Sequence, residues 1–209
     1  MEDFERATDI LLDGGTVIFP TDTVYGLGAN ALNDAAVEKL FDIKGRDKKK
    51  PINVLIADYE DILKIAEIPS REEGKLIEKF WPGPLTIILK RKENTANAAA
   101  SNGDTIGVRM PNSDIARNLI REVGSPLATT SVNLAGNKPA TSVEGIDEKV
   151  LDKVDFVLDG GESDLKVAST IVEFENGEPK ILREGTIKRA DILSALLESQ
   201  TKSIGKSMP

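Results

Sequence analysis

Short apolar stretches built from β-branched residues alternate with helix-patterned stretches along this chain, and most close on glycine, proline or asparagine. That alternation confines the fold to a sheet with helices laid against it, since each layer buries its apolar face on the other. Phe4, Ala7, Thr8, Leu11 and Leu12 recur at helical spacing and stop at Gly14-Gly15. Thr16-Val17-Ile18-Phe19 reads as a strand ended by Pro20, which leaves Thr21 to Asn30 as a loop rich in hydroxyls and glycine. Asn33 can cap a helix carrying Ala36, Val37, Leu40 and Phe41. Ile52 to Ile56 is a second strand, Asp58 can begin another helix, and Ser70 with Glu73 forms a capping box for the next one.

That helix ends at Trp81-Pro82-Gly83-Pro84, a rigid turn whose indole belongs in the core. Leu85 to Leu89 and Thr105 to Met110 are further strands, Asn112 or Ser113 caps a helix, and Leu127 to Val132 is a strand followed by a turn-rich loop, Asn133 to Pro139. Thr141 with Glu144 reads as a second capping box, and Phe156-Val157-Leu158 as a short strand. Asn176-Gly177 between Thr170–Phe174 and Ile181–Arg183 is a hairpin signal, so part of the sheet is antiparallel. The expected fold is therefore α/β: a twisted open mixed sheet with flanking helices. It forms one domain over residues 1–200, closed by a helix through Ile192 and Leu196, and a flexible polar tail over 201–209.

The chain has no cysteine and no histidine in its 209 residues. A thiol nucleophile, an imidazole base, a disulfide and a Cys/His zinc site are all excluded, which leaves Lys, Arg, hydroxyls, carboxylates and backbone dipoles. With 27 Lys+Arg against 35 Asp+Glu the net charge is -8, which argues against broad attraction to nucleic acid or anionic membrane. Nothing resembles a signal peptide, and the apolar runs are too short to span a bilayer, so a cytoplasmic protein without membrane contact is expected.

Four groups of residues could carry chemistry. Pro20 to Gly28 follows a strand in an α/β pattern, where ligand crevices form, though the same residues could simply cap a turn. Lys44 to Lys50 sets five positive charges and one negative in seven residues. Gly45 lets backbone approach a ligand, Arg46 offers a planar fork and Lys44 a point charge, so a polyanion could sit there; a solvated loop is the plainer reading. Thr129, Ser131 and Asn133 alternate along a strand and can share one side. Arg109 on an apolar strand must either pair with a carboxylate, Glu173 or Glu184 among others, or face a ligand's anion; Ser169-Thr170 and Arg183 complete this group.

Taken together, Phe19-Pro20-Thr21-Asp22-Thr23-Val24-Tyr25-Gly26-Leu27, Lys44-Gly45-Arg46, Trp81-Pro82-Gly83-Pro84-Leu85-Thr86, Val108-Arg109-Met110-Pro111, Ser131-Val132-Asn133-Leu134-Ala135-Gly136 and Ser169-Thr170-Ile171-Val172 resemble the YrdC-like family, threonylcarbamoyl-AMP synthases. The likeness runs in order from about Gly14 to Gly185. It implies a nucleotidyltransferase that joins L-threonine, bicarbonate or CO2 and ATP into threonylcarbamoyl-adenylate, releasing pyrophosphate, for the t6A modification of tRNA.

By similarity, Lys44, Arg46, Ser131 and Asn133 form the catalytic tetrad around the nucleotide phosphates, with Lys50, Thr105 and Arg183 as further ATP contacts. Thr23, Arg109, Thr129 and Ser169 would form the threonine pocket. Mg2+ would arrive with ATP, because no acidic cluster suggests a protein cage. Partners would include tRNA or tRNA-modification proteins. The chain departs from the family at Asp47, where proline is frequent, and at Leu55, where some longer members place histidine; longer relatives also carry a second, C-terminal domain. An RNA-binding module using the same basic crevice without turnover is the alternative, weakened by an aromatic content of only 4%.

Overall fold

The computed structural model describes residues 2–133 and 137–204. Its strands are β1 (Val17–Phe19), β2 (Gly26–Asn30), β3 (Asn53–Leu55), β4 (Leu85–Lys90), β5 (Thr105–Arg109), β6 (Leu127–Ser131), β7 (Phe156–Val157), β8 (Thr170–Glu175) and β9 (Glu178–Arg183). They form one open sheet in the order β7-β1-β2-β6-β3-β5-β4-β8-β9. The pairs β1/β7, β3/β5 and β4/β8 are parallel and the rest antiparallel, so the sheet is mixed. The helices are α1 (Glu2–Leu12), α2 (Asp34–Lys44), α3 (Ile62–Ile65), α4 (Arg71–Phe80), α5 (Asp114–Val123), α6 (Glu148–Leu151) and α7 (Arg189–Ile204).

Alternation along the strands gives the sheet two unequal faces. Ile18, Leu27, Ala128, Val54, Val108 and Ile87 point into the larger core, where Leu40 of α2, Leu76 of α4 and Ile192 of α7 meet them. Val17, Phe19, Leu127 and Leu55 point the other way, into a smaller core closed by Leu11 of α1 and Leu119 of α5. Next to this smaller core, Thr129, Asn53, Arg109 and Thr86 line a cavity instead of meeting a helix. One face is thus given to stability, and half of the other is left for a ligand.

The expected caps are in place where a local bond decides them. Asn33 Oδ1 accepts from the Ala36 amide at 3.1 Å, Ser70 and Glu73 make the reciprocal box, and Ser113 rather than Asn112 caps α5. Asn176 and Gly177 turn the β8–β9 hairpin with φ of 54° and 83°, as a two-residue primed turn needs. Trp81 is buried, and its Nε1 donates to the Leu85 carbonyl at 2.7 Å.

Three expectations give way. The Thr21–Asn30 loop contains β2, whose Leu27 and Ala29 face the core while Gly26 and Gly28 lie under neighbouring side chains. A Cβ at Gly26 would stand 2.6 Å from Thr129 Cγ2, and one at Gly28 would stand 2.6 Å from Phe19 Cε1. Glycine disfavours strands on its own, so close approach by other side chains is what selects it here. Thr141 and Glu144 form no capping box; a short helical turn at Val143–Gly145 follows Ser142, and α6 is capped by Asp147. The backbone at 140–141 is committed elsewhere: Ala140 O accepts from Tyr25 N, Ala140 N donates to Val132 O, and Thr141 O accepts from Ser163 N. Those long-range bonds hold it extended. Finally, α7 continues to Ile204, four residues into the expected tail, and residues 205–209 lie outside the described residues.

Gly28→Ala tests the packing beneath β2. The added methyl must displace a fully buried ring, so denaturant unfolding is expected to show a loss of about 1–3 kcal/mol. An unchanged midpoint would mean that Phe19 has room to move.

Candidate functional site

Two cavities, of about 390 and 440 Å³, share Arg46, Lys50 and Ser131 in their walls and form adjacent compartments of one crevice. Lys44 ends α2, and Gly45, in the left-handed conformation at φ 59°, stops the helix and turns the chain toward the crevice. The Lys44 ammonium is buried against the end of β6 and donates to Thr130 Oγ1 at 3.1 Å, the Ser131 carbonyl at 2.7 Å and Asn133 Oδ1 at 3.2 Å. All three acceptors are neutral. Burial, and secondarily the charge of Arg46, pull its pKa down to about 8.

Arg46 folds the basic loop on itself, donating from Nε to the Lys50 carbonyl at 3.2 Å and from a terminal nitrogen to the Pro51 carbonyl at 3.0 Å. Burial depresses its pKa as well. Ser131 Oγ donates to Asn133 Oδ1 at 2.7 Å, while Asn133 Nδ2 donates to the Asn137 carbonyl at 2.9 Å. Lys44, Arg46, Lys50, Ser131 and Asn133 together line the second compartment. Leu134, Ala135 and Gly136 of the same motif lie outside the described residues.

Arg183, at the end of β9, has an exposed side chain whose head lies on Ser169. It donates from Nε to the Ser169 carbonyl at 2.9 Å and from a terminal nitrogen to Ser169 Oγ at 3.1 Å. Its pKa is lowered by burial of the guanidinium, then by the charge of Arg46. Among the described residues, neither Lys44, Arg46 nor Arg183 forms an ion pair with a carboxylate. Three cationic heads therefore face one crevice with neutral partners only. An anion bound there would supply the missing charge.

Thr23, Arg109, Thr129 and Ser169, the expected threonine pocket, all line the first compartment. Arg109 is buried and tied on three sides. Its Nε donates to the Gly83 carbonyl at 3.0 Å, one terminal nitrogen to Thr23 Oγ1 at 2.8 Å, and the other to Asp22 in a buried ion pair. The partner is thus Asp22 and not Glu173 or Glu184, which lie 3.8 Å from Lys180 and 3.5 Å from Lys188. The Trp81-Pro82-Gly83-Pro84 turn also serves the site through the Gly83 carbonyl. Among the described residues, two of the five guanidinium N–H groups donate to no protein acceptor, enough for one carboxylate. Burial lowers the Arg109 pKa and the charge of Asp22 opposes it.

Thr105 does not join the site. It is exposed, at the opposite end of β5 from Arg109, and lines neither compartment. Conversely, Asp22, Asn53 and Thr86 belong to the site without having been expected there; Thr86 Oγ1 lies 2.8 Å from Ser169 Oγ. Asn53 carried a usable sequence signal, an amide two residues from Leu55 on an otherwise apolar strand. Among the described residues no group of three His, Cys, Asp or Glu side chains could hold a metal, and no helix is long and apolar enough to cross a membrane.

The chain resembles known proteins in sequence and in fold. The chain is 38% identical over 186 residues to a Pyrococcus abyssi protein named threonylcarbamoyl-AMP synthase, an alignment covering 89% of this chain and 55% of that one. A Methanocaldococcus jannaschii relative is 43% identical over 178 residues, covering 85% of this chain and 83% of the relative. The crystal structure of Pyrococcus abyssi Sua5 complexed with L-threonine superposes with a TM-score of 0.88 at 36% identity, over 92% of this chain and 56% of that chain. This chain spans about half the length of the Pyrococcus abyssi protein. The Sua5/YciO/YrdC family, described as "Telomere recombination", matches residues 9–185, and the chain belongs to that family.

Proposed function

We propose that the protein is a threonylcarbamoyl-AMP synthase, converting L-threonine, bicarbonate or CO2 and ATP into threonylcarbamoyl-adenylate and pyrophosphate. The observation that carries this reading is the set of cationic heads of Lys44, Arg46 and Arg183, none paired with a carboxylate among the described residues, beside the part of the first compartment shaped by Arg109 and the hydroxyls of Thr23, Thr129 and Ser169. The first set suits a triphosphate, the second an amino acid. The name of the Pyrococcus abyssi relative and the L-threonine in the crystal structure of Pyrococcus abyssi Sua5 support the same assignment.

The chemistry needs positioning and charge more than a proton shuttle. The threonine amine attacks CO2 to give a carbamate, and a carbamate oxygen then displaces pyrophosphate from the α-phosphorus. Lys44 and Arg46 meet the charge that gathers on the phosphate oxygens. Ser131 and Asn133 offer neutral groups that orient those oxygens, and Arg109, locked by Asp22 and Gly83, presents its remaining donors to the threonine carboxylate.

Mg2+ bound to ATP would further neutralise the phosphates. Asp47 is the carboxylate that lines the phosphate compartment, so the ion would be held chiefly by ATP and water. The adenylate would pass to a tRNA-modifying partner in the cytoplasm. A plain RNA-binding module is not favoured, because the cationic heads sit inside a crevice and the relatives are named as synthases.

Three outcomes test this. Pyrophosphate release should require ATP, threonine and bicarbonate together, and Lys44→Ala or Arg46→Ala should abolish it while the circular dichroism spectrum stays native; normal turnover in either variant would discard the site. Because ATP binding needs the Lys44 ammonium, and that group deprotonates through a pKa of about 8, affinity must fall as pH rises. Calorimetry should find ATP bound roughly 8-fold more weakly at about pH 9 than at about pH 7.5. A flat profile would show that Lys44 stays charged or does not touch phosphate.

Arg109→Ala strands the Asp22 charge and should cost about 3–5 kcal/mol of stability. Adding Asp22→Asn should recover much of that loss while the threonine KM stays raised by at least about tenfold, the loss of one charge-assisted contact. A normal KM in the double variant would put the carboxylate elsewhere.

A further inference from the structure

We propose that Asn53 is a catalytic residue that holds the CO2-derived carbonyl, donating a hydrogen bond from Nδ2 to the oxygen that gains charge when the threonine amine attacks. The inference rests on the synthase reading above. It starts from where the third substrate has to lie. In threonylcarbamoyl-adenylate the carbonyl carbon is bonded to the threonine nitrogen on one side and to an oxygen of the α-phosphate on the other. Whatever recognises that carbonyl must stand between the phosphate residues and the amino-acid residues.

β3 occupies that position. In the sheet it lies between β6, which carries Thr129 and Ser131, and β5, which ends in Arg109. Its approach, Lys50-Pro51, supplies the carbonyls that anchor Arg46. Asn53 opens the strand, pairs in register with Thr129, and lines the first compartment. The larger polar side chains around it are already engaged: Lys44, Arg46, Arg109 and Arg183 bond to protein acceptors, and Ser169 bonds to Thr86. The Asn53 amide has no hydrogen-bond partner among the described residues, although it is half-buried. A primary amide in that setting carries two donors and an acceptor with nothing to satisfy them but solvent or substrate.

The neighbouring strand is adapted to this amide. Gly107 on β5 faces the same side, and a Cβ there would stand 2.4 Å from Asn53 Oδ1 and 3.3 Å from Ile88 Cδ1. Any larger residue at 107 would push the amide out of its place. Glycine in a strand interior weakens the strand, so its presence marks a position where another group must come close. Here that group is the Asn53 amide.

The two bond-making steps use it as a donor only. The amine nitrogen forms a bond to the carbon of CO2, an electron pair of one C=O moves onto oxygen, and the nitrogen's proton leaves to solvent through the cavity mouth. Asn53 Nδ2 stabilises the new oxyanion without gaining or losing a proton. The other carbamate oxygen then forms a bond to the α-phosphorus as the bond to the β-phosphate breaks and pyrophosphate departs. A donor aimed at charge that appears only during the reaction raises the rate without strengthening the binding of the other substrates.

The test varies bicarbonate at saturating ATP and L-threonine and reads pyrophosphate release, with ATP and L-threonine binding measured separately by calorimetry. Asn53→Ala should lower kcat/KM for bicarbonate on the order of 100-fold, the loss of one oxyanion donor. Asn53→Asp, which keeps the shape, replaces the donor by a negative charge and should fall at least as far. The dissociation constants of ATP and of threonine should remain at their wild-type values in Asn53→Ala, whereas the charge of Asn53→Asp also repels the two anionic substrates. The proposal is overturned if either variant keeps the wild-type bicarbonate dependence, or if ATP or threonine binding weakens in parallel in Asn53→Ala, which a merely structural amide would cause. Wild-type protein that makes no pyrophosphate in the complete mixture would instead remove the synthase reading, and this inference with it.

Discussion

A cation wholly or partly withdrawn from water needs either a counter-charge or enough neutral oxygen around it, and this fold supplies buried Lys44 and half-buried Arg46 with the second. Neutral acceptors stabilise the charged form less than a carboxylate would, so both groups remain eager for an anion. The depressed pKa of Lys44 is the same fact expressed as an equilibrium: the site holds a charge it cannot fully compensate. Carboxylates abound elsewhere on this acidic chain, with 35 in all. Placing one beside Lys44 would have stabilised the empty protein and weakened its hold on phosphate.

Arg109 follows the opposite logic. Asp22 neutralises it, and Gly83 and Thr23 fix its orientation, so a rigid guanidinium edge remains in place of a surplus charge. Rigidity suits recognition of a planar carboxylate, and surplus charge suits a polyanion. The contrast between Lys44 and Arg109 is therefore electrostatic as well as spatial. It also explains how a protein with a net charge of -8 can present a cationic crevice: the field that matters there is that of a few side chains at low dielectric.

Much of this was legible before any coordinates. Helix caps at Asn33, Ser70 and Ser113 and the Asn176-Gly177 turn were readable because a local side-chain bond or a left-handed backbone decides each of them. The site motifs were grouped through their resemblance to a family, since the residues alone left Lys44-Gly45-Arg46 open between a polyanion site and a solvated loop. What escaped was set by distant chain. Gly26 and Gly28 look like loop residues until Phe19 and Thr129 are seen lying over them, and Thr141 looks like a cap until its carbonyl is found bonded to Ser163. Asp22 as the partner of Arg109 required knowing that the loop after β1 folds over the end of β5. Thr105 shares a strand with Arg109, but four residues along a strand carry it about 13 Å away, out of the crevice.

The central claim is geometric: a triphosphate and an amino acid lie side by side across β3. A crystal structure with a non-hydrolysable ATP analogue and L-threonine tests it most directly. The account predicts phosphate oxygens within hydrogen-bond reach of Lys44 Nζ, Arg46 and Ser131, and the threonine carboxylate on Arg109. Nucleotide bound away from Lys44 and Arg46, or threonine that leaves Arg109 untouched, would contradict it.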